Sequence, residues 1–229
     1  MAFKSQVKLL EPEQCHVKAW SLSALGQYEA CPLAYKLARF DKIPGKGASP
    51  ALEYGIKVHK MMEDFLNSVI TEIPKELSKL ETEITNLLKH NAVAEEELVV
   101  DNHWQPIKGV ERPWFASNAW LRGKTDARVC NLVIDLKSGK EYDGYEQAAE
   151  LYSILTMKLN PEFTEVDVEF WYSKTGNVKG YTYHRSDIND MIAVWDTRVS
   201  KLFREKHWLP KEHQYCKWCD YQYMCPLFT

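Results

Sequence analysis

The sequence predicts an α/β protein in which helices flank a central mixed sheet. Apolar residues three and four apart indicate helices at both ends of the chain, whereas alternating apolar residues indicate strands in the middle. A helical segment separates two groups of strand-like segments, and a crossover of this kind is typical of sheets that contain parallel strands.

The helices of the first ninety residues follow from their apolar stripes. Ser21 or Ser23 is expected to cap the first helix, and Pro32 to interrupt it and begin a second piece. A loop rich in Pro and Gly precedes two further helical segments. Their stripes are Val58, Met62, Phe65, Leu66 and Val69 in one, and Leu77, Leu80, Ile84, Leu87 and Leu88 within residues 75–92.

The later part of the chain alternates between segments with the apolar spacing of strands and segments with that of helices. Strands begin at 97–101, and a loop rich in Trp and Pro leads to a hairpin around Cys130 and Asn131. Residues 145–159 have the pattern of a helix. Residues 166–172 and 178–183 resemble two strands joined by a turn, and a helix follows, with a stripe of Ile188, Ile192, Trp195, Val199 and Leu202.

The composition is that of an ordinary soluble globular protein, with 229 residues, 45% hydrophobic and 27% charged. We expect an N-terminal arm over residues 1–20 and a single domain over residues 21–229. No apolar run approaches the roughly 20 residues that span a bilayer, and the first residues lack the apolar core of a signal peptide. The prediction is a cytoplasmic protein with no membrane association.

The hairpin carries the most informative charges. If Cys130 and Asn131 form a two-residue turn, Asp126 lies opposite Asp135, and Lys124 lies opposite Lys137. Opposed like charges destabilise a sheet, so the facing carboxylates indicate a bound cation, and oxygen ligands favour Mg²⁺ or Mn²⁺. The alternative is an exposed charged hairpin with Lys137 as a counter-charge.

Basic residues surround these carboxylates. The net charge of −3 gives no general case for nucleic acid, but residues 122–140 contain five basic and two acidic side chains. Arg122, Lys124 and Arg128 share the parity of Asp126, so we expect them on one strand face as DNA-binding residues. A basic surround with an acidic metal centre suits a phosphate-bearing polymer, and a solvated charged hairpin is the alternative.

Three cysteines lie close together near the end of the chain, as Cys216, Cys219 and Cys225. Three thiols at this spacing in a cytoplasmic chain favour a metal site over disulfides. Zinc and an iron–sulfur cubane both accept four cysteines, so the pattern leaves that choice open. The candidates for a fourth ligand are Cys31, which is the best placed beside a helix break, and His213, Cys15 and Cys130.

An ordered set of motifs runs from about residue 21 to residue 226 and resembles a known family. The chain is similar to the RecB-like branch of the PD-(D/E)xK nuclease superfamily, in particular to its iron–sulfur members, such as the AddB nuclease domain and the cluster-bearing CRISPR-adaptation and phage exonucleases. The matching residues are Ser21-x-Ser23-x4-Tyr28-x2-Cys31-Pro32-x2-Tyr35-Lys36, Gly55-x2-Val58-His59, Gly123-x2-Asp126, Asp135-Leu136-Lys137-Ser138-Gly139, a Gln and a Tyr in the next helix, and the three late cysteines.

The resemblance implies a restriction-endonuclease-like fold and a set of site residues. His59, Asp126, Asp135 and the backbone carbonyl of Leu136 would hold a divalent metal, and Lys137 would orient or activate the attacking water. A histidine ligand favours Mn²⁺ over Mg²⁺. The family places its helix Gln four residues before a Tyr, but here the spacing is five, so Gln147 is the expected site residue and Tyr152 is either a site or a core residue.

The resemblance also implies an activity and a second cofactor. We expect a metal-dependent DNA exonuclease that acts on single-stranded DNA or free ends in recombination, repair or phage replication, with a recombination or helicase protein as a candidate partner. Its cysteines Cys31, Cys216, Cys219 and Cys225 would bind a [4Fe-4S] cluster, with zinc as the alternative. Two other hypotheses are a DNA-end-binding adaptor with little nuclease activity and a zinc-ribbon interaction protein.

Overall fold

The structure is a computed structural model and describes residues 9–228. The first eight residues of the expected N-terminal arm therefore lie outside the described residues. The chain forms two compact units: one is Ala48–Ala193, and the other combines the segments before and after it. Each unit has its own packed interior.

The helices agree closely with the predicted segments. Ser21 caps the first helix as expected, since its hydroxyl accepts a hydrogen bond from the Ala24 amide. Within residues 9–228 the α-helices are α1 (Leu22–Ala30), α2 (Pro32–Arg39), α3 (Pro50–Leu66), α4 (Glu81–Lys89), α5 (Glu146–Leu159) and α6 (Ile188–Arg204). The helix predicted over residues 75–92 is a 3-10 helix, Lys75–Leu80, followed by α4.

The strands form a five-stranded mixed sheet and a separate two-stranded sheet. The five-stranded sheet has the order β1-β4-β5-β6-β7, in which β5 and β6 are parallel and all other pairs are antiparallel. The strands are β1 (Val93–Ala94), β2 (Glu97–Val100), β3 (Leu121–Lys124), β4 (Ala127–Val129), β5 (Leu132–Lys137), β6 (Glu165–Tyr172) and β7 (Val178–His184). Helix α5 makes the crossover between β5 and β6, so the predicted mixed α/β fold is confirmed.

The β4–β5 hairpin has the predicted register, with Ala127 opposite Ile134. The strand before it does not continue into this sheet, because β3 pairs with β2 in the other sheet and Lys124 lies opposite Glu97. The expectation that Lys124 faces Lys137 is therefore wrong. Arg122 and Lys124 lie two residues apart on β3, but Arg128 lies on β4 in the other sheet, so the three do not share one strand. Backbone pairing with β2 draws β3 away from β5.

The two antiparallel ladders form one bent ribbon. Ala94 lies opposite Ala127 and Glu97 lies opposite Lys124, so the register continues across the bend. At the bend Glu95 has a left-handed backbone conformation, with φ of 55°, and its amide donates to the Asp126 carbonyl. The bend brings Glu95 and Asp126 opposite each other where the chain passes between the sheets.

The core of the Ala48–Ala193 unit lies between helices α3 and α4 and the five-stranded sheet. Helices α3 and α4 and the 3-10 helix before α4 pack their apolar stripes on β4, β5 and β6. Its fully buried members include Val58, Leu77, Leu80, Ile84, Ile134 and Leu136. This packing holds one side of α3 against the sheet.

The other unit has an aromatic centre. Trp208 stacks on Tyr35 with ring centroids 5.7 Å apart, and Tyr28 and Phe40 contact its edges. Cys15 and Trp20 are also buried, so the described part of the expected arm packs on this unit. Within residues 9–228, none of the helices combines the length and the apolar character needed to cross a bilayer.

Candidate active site

The bend of the ribbon brings together groups from three parts of the chain. Helix α3 presents His59, whose Nδ1 lies 2.8 Å from Oδ1 of Asp126. The other carboxylate oxygen of Asp126 accepts a 2.6 Å hydrogen bond from the backbone amide of Leu136 on β5. Asp126 is thus fixed between the helix and the neighbouring strand.

Glu95 completes a candidate metal site, although the sequence does not single it out. One ligand atom from each of His59, Glu95 and Asp126 lies within 4.8 Å of the other two. Glu95 also forms an ion pair with Lys124. Nothing in the local sequence distinguishes Glu95 from the adjacent Glu96 and Glu97, because only the left-handed bend turns it toward Asp126.

Asp135 and Lys137 lie beside this group on β5. Asp135 is buried, and its Oδ1 lies 2.7 Å from the Lys137 ammonium. The ammonium also lies over the rings of Tyr145, at 4.5 Å, and Phe170, at 5.3 Å. The aromatic rings and the carboxylate therefore hold Lys137 in one place.

Burial and charge shift the protonation of the site. Burial raises the pKa of Asp135, and the charge of Asp126 raises it further, while Lys137 opposes both effects. Burial alone would lower the pKa of His59, but the hydrogen bond to Asp126 and the charges of both aspartates raise it. These groups therefore hold protons at a higher pH than free side chains when no metal is bound.

Tyr152 belongs to this environment. Burial raises the pKa of its phenol well above the ordinary value, with further contributions from the charges of Asp135 and Asp126 and from a hydrogen bond to Asp135. The phenol therefore stays protonated and donates to the Asp135 carboxylate. Gln147 lies exposed on the first turn of α5.

Two glycines of the sequence motifs lie where a helix approaches neighbouring chain closely. A Cβ on Gly123 of β3 would lie 2.7 Å from the Leu155 side chain of α5, and one on Gly55 of α3 would lie 3.2 Å from the Ser138 hydroxyl. Without side chains at these positions, α5 and α3 pack directly on the strands that carry the site.

The three predicted DNA-binding residues have different surroundings. Arg128 forms a bidentate ion pair with Glu96, at 2.5 and 2.8 Å, and this hydrogen bonding raises the pKa of Arg128. Lys124 pairs with Glu95. The buried Nε of Arg122 has no hydrogen-bond partner and no carboxylate pairs with its guanidinium within residues 9–228, and the guanidinium carbon lies 6.0 Å from the centroid of the Trp114 ring.

The four predicted cluster cysteines all lie in the unit that contains both ends of the chain. Cys31 is buried and its sulfur accepts from the Lys211 amide at 3.5 Å, while the Cys216 sulfur accepts from the His213 amide at 3.3 Å. Across the part of the chain that the structure describes, no three cysteine sulfurs lie within 4.8 Å of one another. A closed four-cysteine cluster is therefore not seen.

The donor set around the bend suits a divalent cation. Two carboxylates and an imidazole approach one point, and carboxylate oxygens with one nitrogen are acceptable ligands for Mn²⁺ and, less readily, for Mg²⁺. Asp135 is outside this 4.8 Å group, and its carboxylate pairs with Lys137. The arrangement can hold a cation beside a fixed ammonium, which is a chemistry suited to phosphoryl groups.

Comparisons with known proteins bear on the fold and the family of this chain. No curated protein matches the sequence. A crystal structure from Eubacterium rectale, that of a "putative exonuclease", superposes with a TM-score of 0.55 at 12% identity, over 96% of this chain and 92% of that one. The structure of SSO0001 has a TM-score of 0.42 at 14% identity, over 95% and 92% of the two chains. The family model of the PD-(D/E)XK nuclease superfamily matches residues 19–226, and the chain therefore belongs to that superfamily.

Proposed function

We propose that this protein is a divalent-metal-dependent deoxyribonuclease that hydrolyses phosphodiester bonds from the ends of DNA strands. The observation that carries this proposal is the convergence of His59, Glu95 and Asp126 beside the Asp135–Lys137 pair. Membership of a nuclease superfamily supports phosphodiester hydrolysis. The preference for ends rests on the resemblance to RecB-like exonucleases.

The metal would be Mn²⁺ or Mg²⁺, held by His59, Glu95, Asp126, Asp135 and the Leu136 carbonyl. When bound, the cation would supply Lewis-acid polarisation of the scissile phosphate. Asp135 fits this role if its carboxylate turns from the Lys137 ammonium. Tyr152 would hold the remaining oxygen of Asp135 through its phenol, and so fix the plane of the carboxylate.

Lys137 is the group we assign to the water and the phosphate. Its ammonium would orient the attacking water and offset negative charge that develops on the phosphate oxygens. The rings of Tyr145 and Phe170 limit the directions in which it can move. Release from Asp135 would therefore leave Lys137 close to its present position.

We also propose that Cys31, Cys216, Cys219 and Cys225 bind a [4Fe-4S] cluster that links both ends of the chain. Two of these sulfurs already accept backbone N–H bonds, as cluster thiolates do. In addition, the Tyr221 hydroxyl donates to the Ile43 carbonyl, so the late segment is held near α2.

A cleavage assay on linear and circular DNA tests the proposed activity. We expect Asp135→Asn to reduce metal-dependent degradation of linear DNA by about a hundredfold or more, with the fold intact. The matched control is Asp143→Asn, which removes a carboxylate that is 98% exposed. Unchanged degradation by Asp135→Asn would refute the catalytic assignment, and equal degradation of circular DNA would refute the preference for ends. Stable DNA binding without cleavage at any metal concentration would instead favour the adaptor hypothesis.

A further inference from the structure

We propose that Phe115, Trp114, Arg112 and Arg122 form a platform that holds an unpaired DNA strand: bases stack on Phe115 and a phosphate binds Arg122. We call these four residues the stacking platform. The inference rests on the proposed function, because it names the substrate state that the site receives. It assigns a role to the long segment between β2 and β3.

The first observation is a cation without an anion. Arg122 is half-buried, its Nε is fully buried without a hydrogen-bond partner, and no carboxylate pairs with it among residues 9–228. Its neighbours in the ribbon differ, since Lys124 pairs with Glu95 and Arg128 with Glu96. A buried N–H without an acceptor is unfavourable, and no carboxylate neutralises this guanidinium, so an external anion such as a phosphate would stabilise it.

The second observation is an aromatic ring presented to solvent. Phe115 is 65% exposed, and the Arg112 guanidinium lies over one face of its ring at 4.4 Å. The next ring, Trp114, lies beside Arg122 at 6.0 Å. Each aromatic residue thus has its own guanidinium, and such pairs of cation and ring are the components of sites that bind single strands.

The third observation is that the segment is held in place. Asp101 accepts hydrogen bonds from the amides of His103 and Gln105, and the buried Trp104 contacts Trp120 edge to face. Phe115 itself lies in a short 3-10 helix, Pro113–Phe115. Exposure of its ring is therefore a property of an ordered loop, and an ordered ring loses little entropy when a base stacks on it.

The position of the platform links it to the candidate active site. Arg122 lies on β3, four residues before Asp126 on the bent ribbon, and four residues of extended chain span roughly 13 Å. A single strand of DNA whose phosphate binds Arg122 could therefore reach the bend with its next nucleotides. Only an unpaired strand exposes base faces for stacking, because a duplex buries them between neighbouring pairs, and so the occupant is single-stranded DNA.

Binding of oligo(dT) and blunt duplex to the full chain tests the proposal, with a chelator present to prevent cleavage. A 2-aminopurine within the oligonucleotide reports stacking through its fluorescence. We expect Phe115→Leu, which keeps apolar bulk without a π face, to weaken oligo(dT) binding about tenfold, or about 1.4 kcal/mol. Phe115→Trp should bind at least as tightly as the wild type, and duplex affinity should change less than about twofold in both variants.

Arg122→Gln provides an independent measurement. Loss of one phosphate contact should make the dependence of log Kd on log salt shallower by roughly 0.7 for a single strand. Wild-type oligo(dT) affinity in Phe115→Leu, or no binding of oligo(dT) by the wild type, would overturn the platform and would leave a protein partner as the occupant. The failure is separable from that of the proposed function, because Asp135→Asn tests cleavage and Phe115→Leu tests binding without metal.

Discussion

Glu95 can be tested as a metal ligand by comparing it with its ion-pair partner. Glu95→Gln removes the negative charge near His59 and Asp126, whereas Lys124→Met removes the cation that neutralises Glu95. If Glu95 binds metal, the first variant should weaken Mn²⁺ binding and the second should preserve or strengthen it. If Glu95 only pairs with Lys124, the two variants should have the same effect.

The exposure of the two side chains sets the expected change in stability, which is small compared with the expected change in metal affinity. The side chains of Glu95 and Lys124 are 22% and 46% exposed, and ion pairs at such positions contribute about 0–1 kcal/mol to the free energy of unfolding. Either variant should therefore shift the melting temperature by no more than about 4 °C. Loss of an outer-shell partner already lowers metal affinity about 10–100-fold, so Glu95→Gln should lower it by at least tenfold.

Titration with Mn²⁺, followed by electron paramagnetic resonance of the free ion, measures this affinity without any cleavage step. The melting temperature of each variant without metal is the control for folding. Wild-type Mn²⁺ affinity in Glu95→Gln would refute the assignment. An equal loss of affinity in both variants would show that the ion pair acts by supporting the bend.

Three further predictions concern packing, protonation and the cysteines. Gly123→Val should lower the free energy of unfolding by about 1–3 kcal/mol in urea denaturation, because the fully buried Leu155 cannot move into solvent. The same substitution should cost less when it is made in a Leu155→Ala background. The Mn²⁺ affinity measured by calorimetry should fall as pH decreases through the raised pKa of His59, since a proton competes for the imidazole. His59→Asn should bind Mn²⁺ more weakly and with a flatter dependence of affinity on pH. An unaltered pH dependence in this variant would contradict the role of His59. Cys31→Ala should abolish the visible absorbance of anaerobically purified protein and lower its melting temperature, whereas Cys15→Ala should retain the absorbance; full iron content in Cys31→Ala would refute the four-cysteine cluster.

Local sequence patterns predicted the elements and one register well. The Ser21 cap, the start of a helix at Pro32 and the β4–β5 pairing all depend on residues that are close in the chain, and the structure has all three. The two-residue turn sets the pairing of the hairpin, with a left-handed Cys130. Such features follow from local chemistry before any long-range packing forms.

The missed features depend on residues that are distant in the chain. Strand β1 has only two residues, and its pairing with β4 and the bend at Glu95 cannot be read from its own sequence. The separation of β3 from β5 follows from pairing with β2, which the parity of charged residues does not reveal. The sequence left the role of Tyr152 open, and its burial beside Asp135 follows from how α5 packs on the sheet.

The charges of the candidate site explain how it can fold before it binds metal. Each carboxylate has a basic partner, in the pairs Asp126–His59, Glu95–Lys124 and Asp135–Lys137. These partners offset the repulsion that three clustered carboxylates would otherwise cause. Metal binding would break these three pairs: His59 would become a ligand beside Asp126, and Lys124 would lose Glu95. Lys137 would lose Asp135, but the aromatic rings would still hold it in place. Replacement of the ion pairs by the metal would therefore assemble the ligands and leave the Lys137 ammonium unpaired beside the phosphate. The site would then become competent for hydrolysis only when the cation is present.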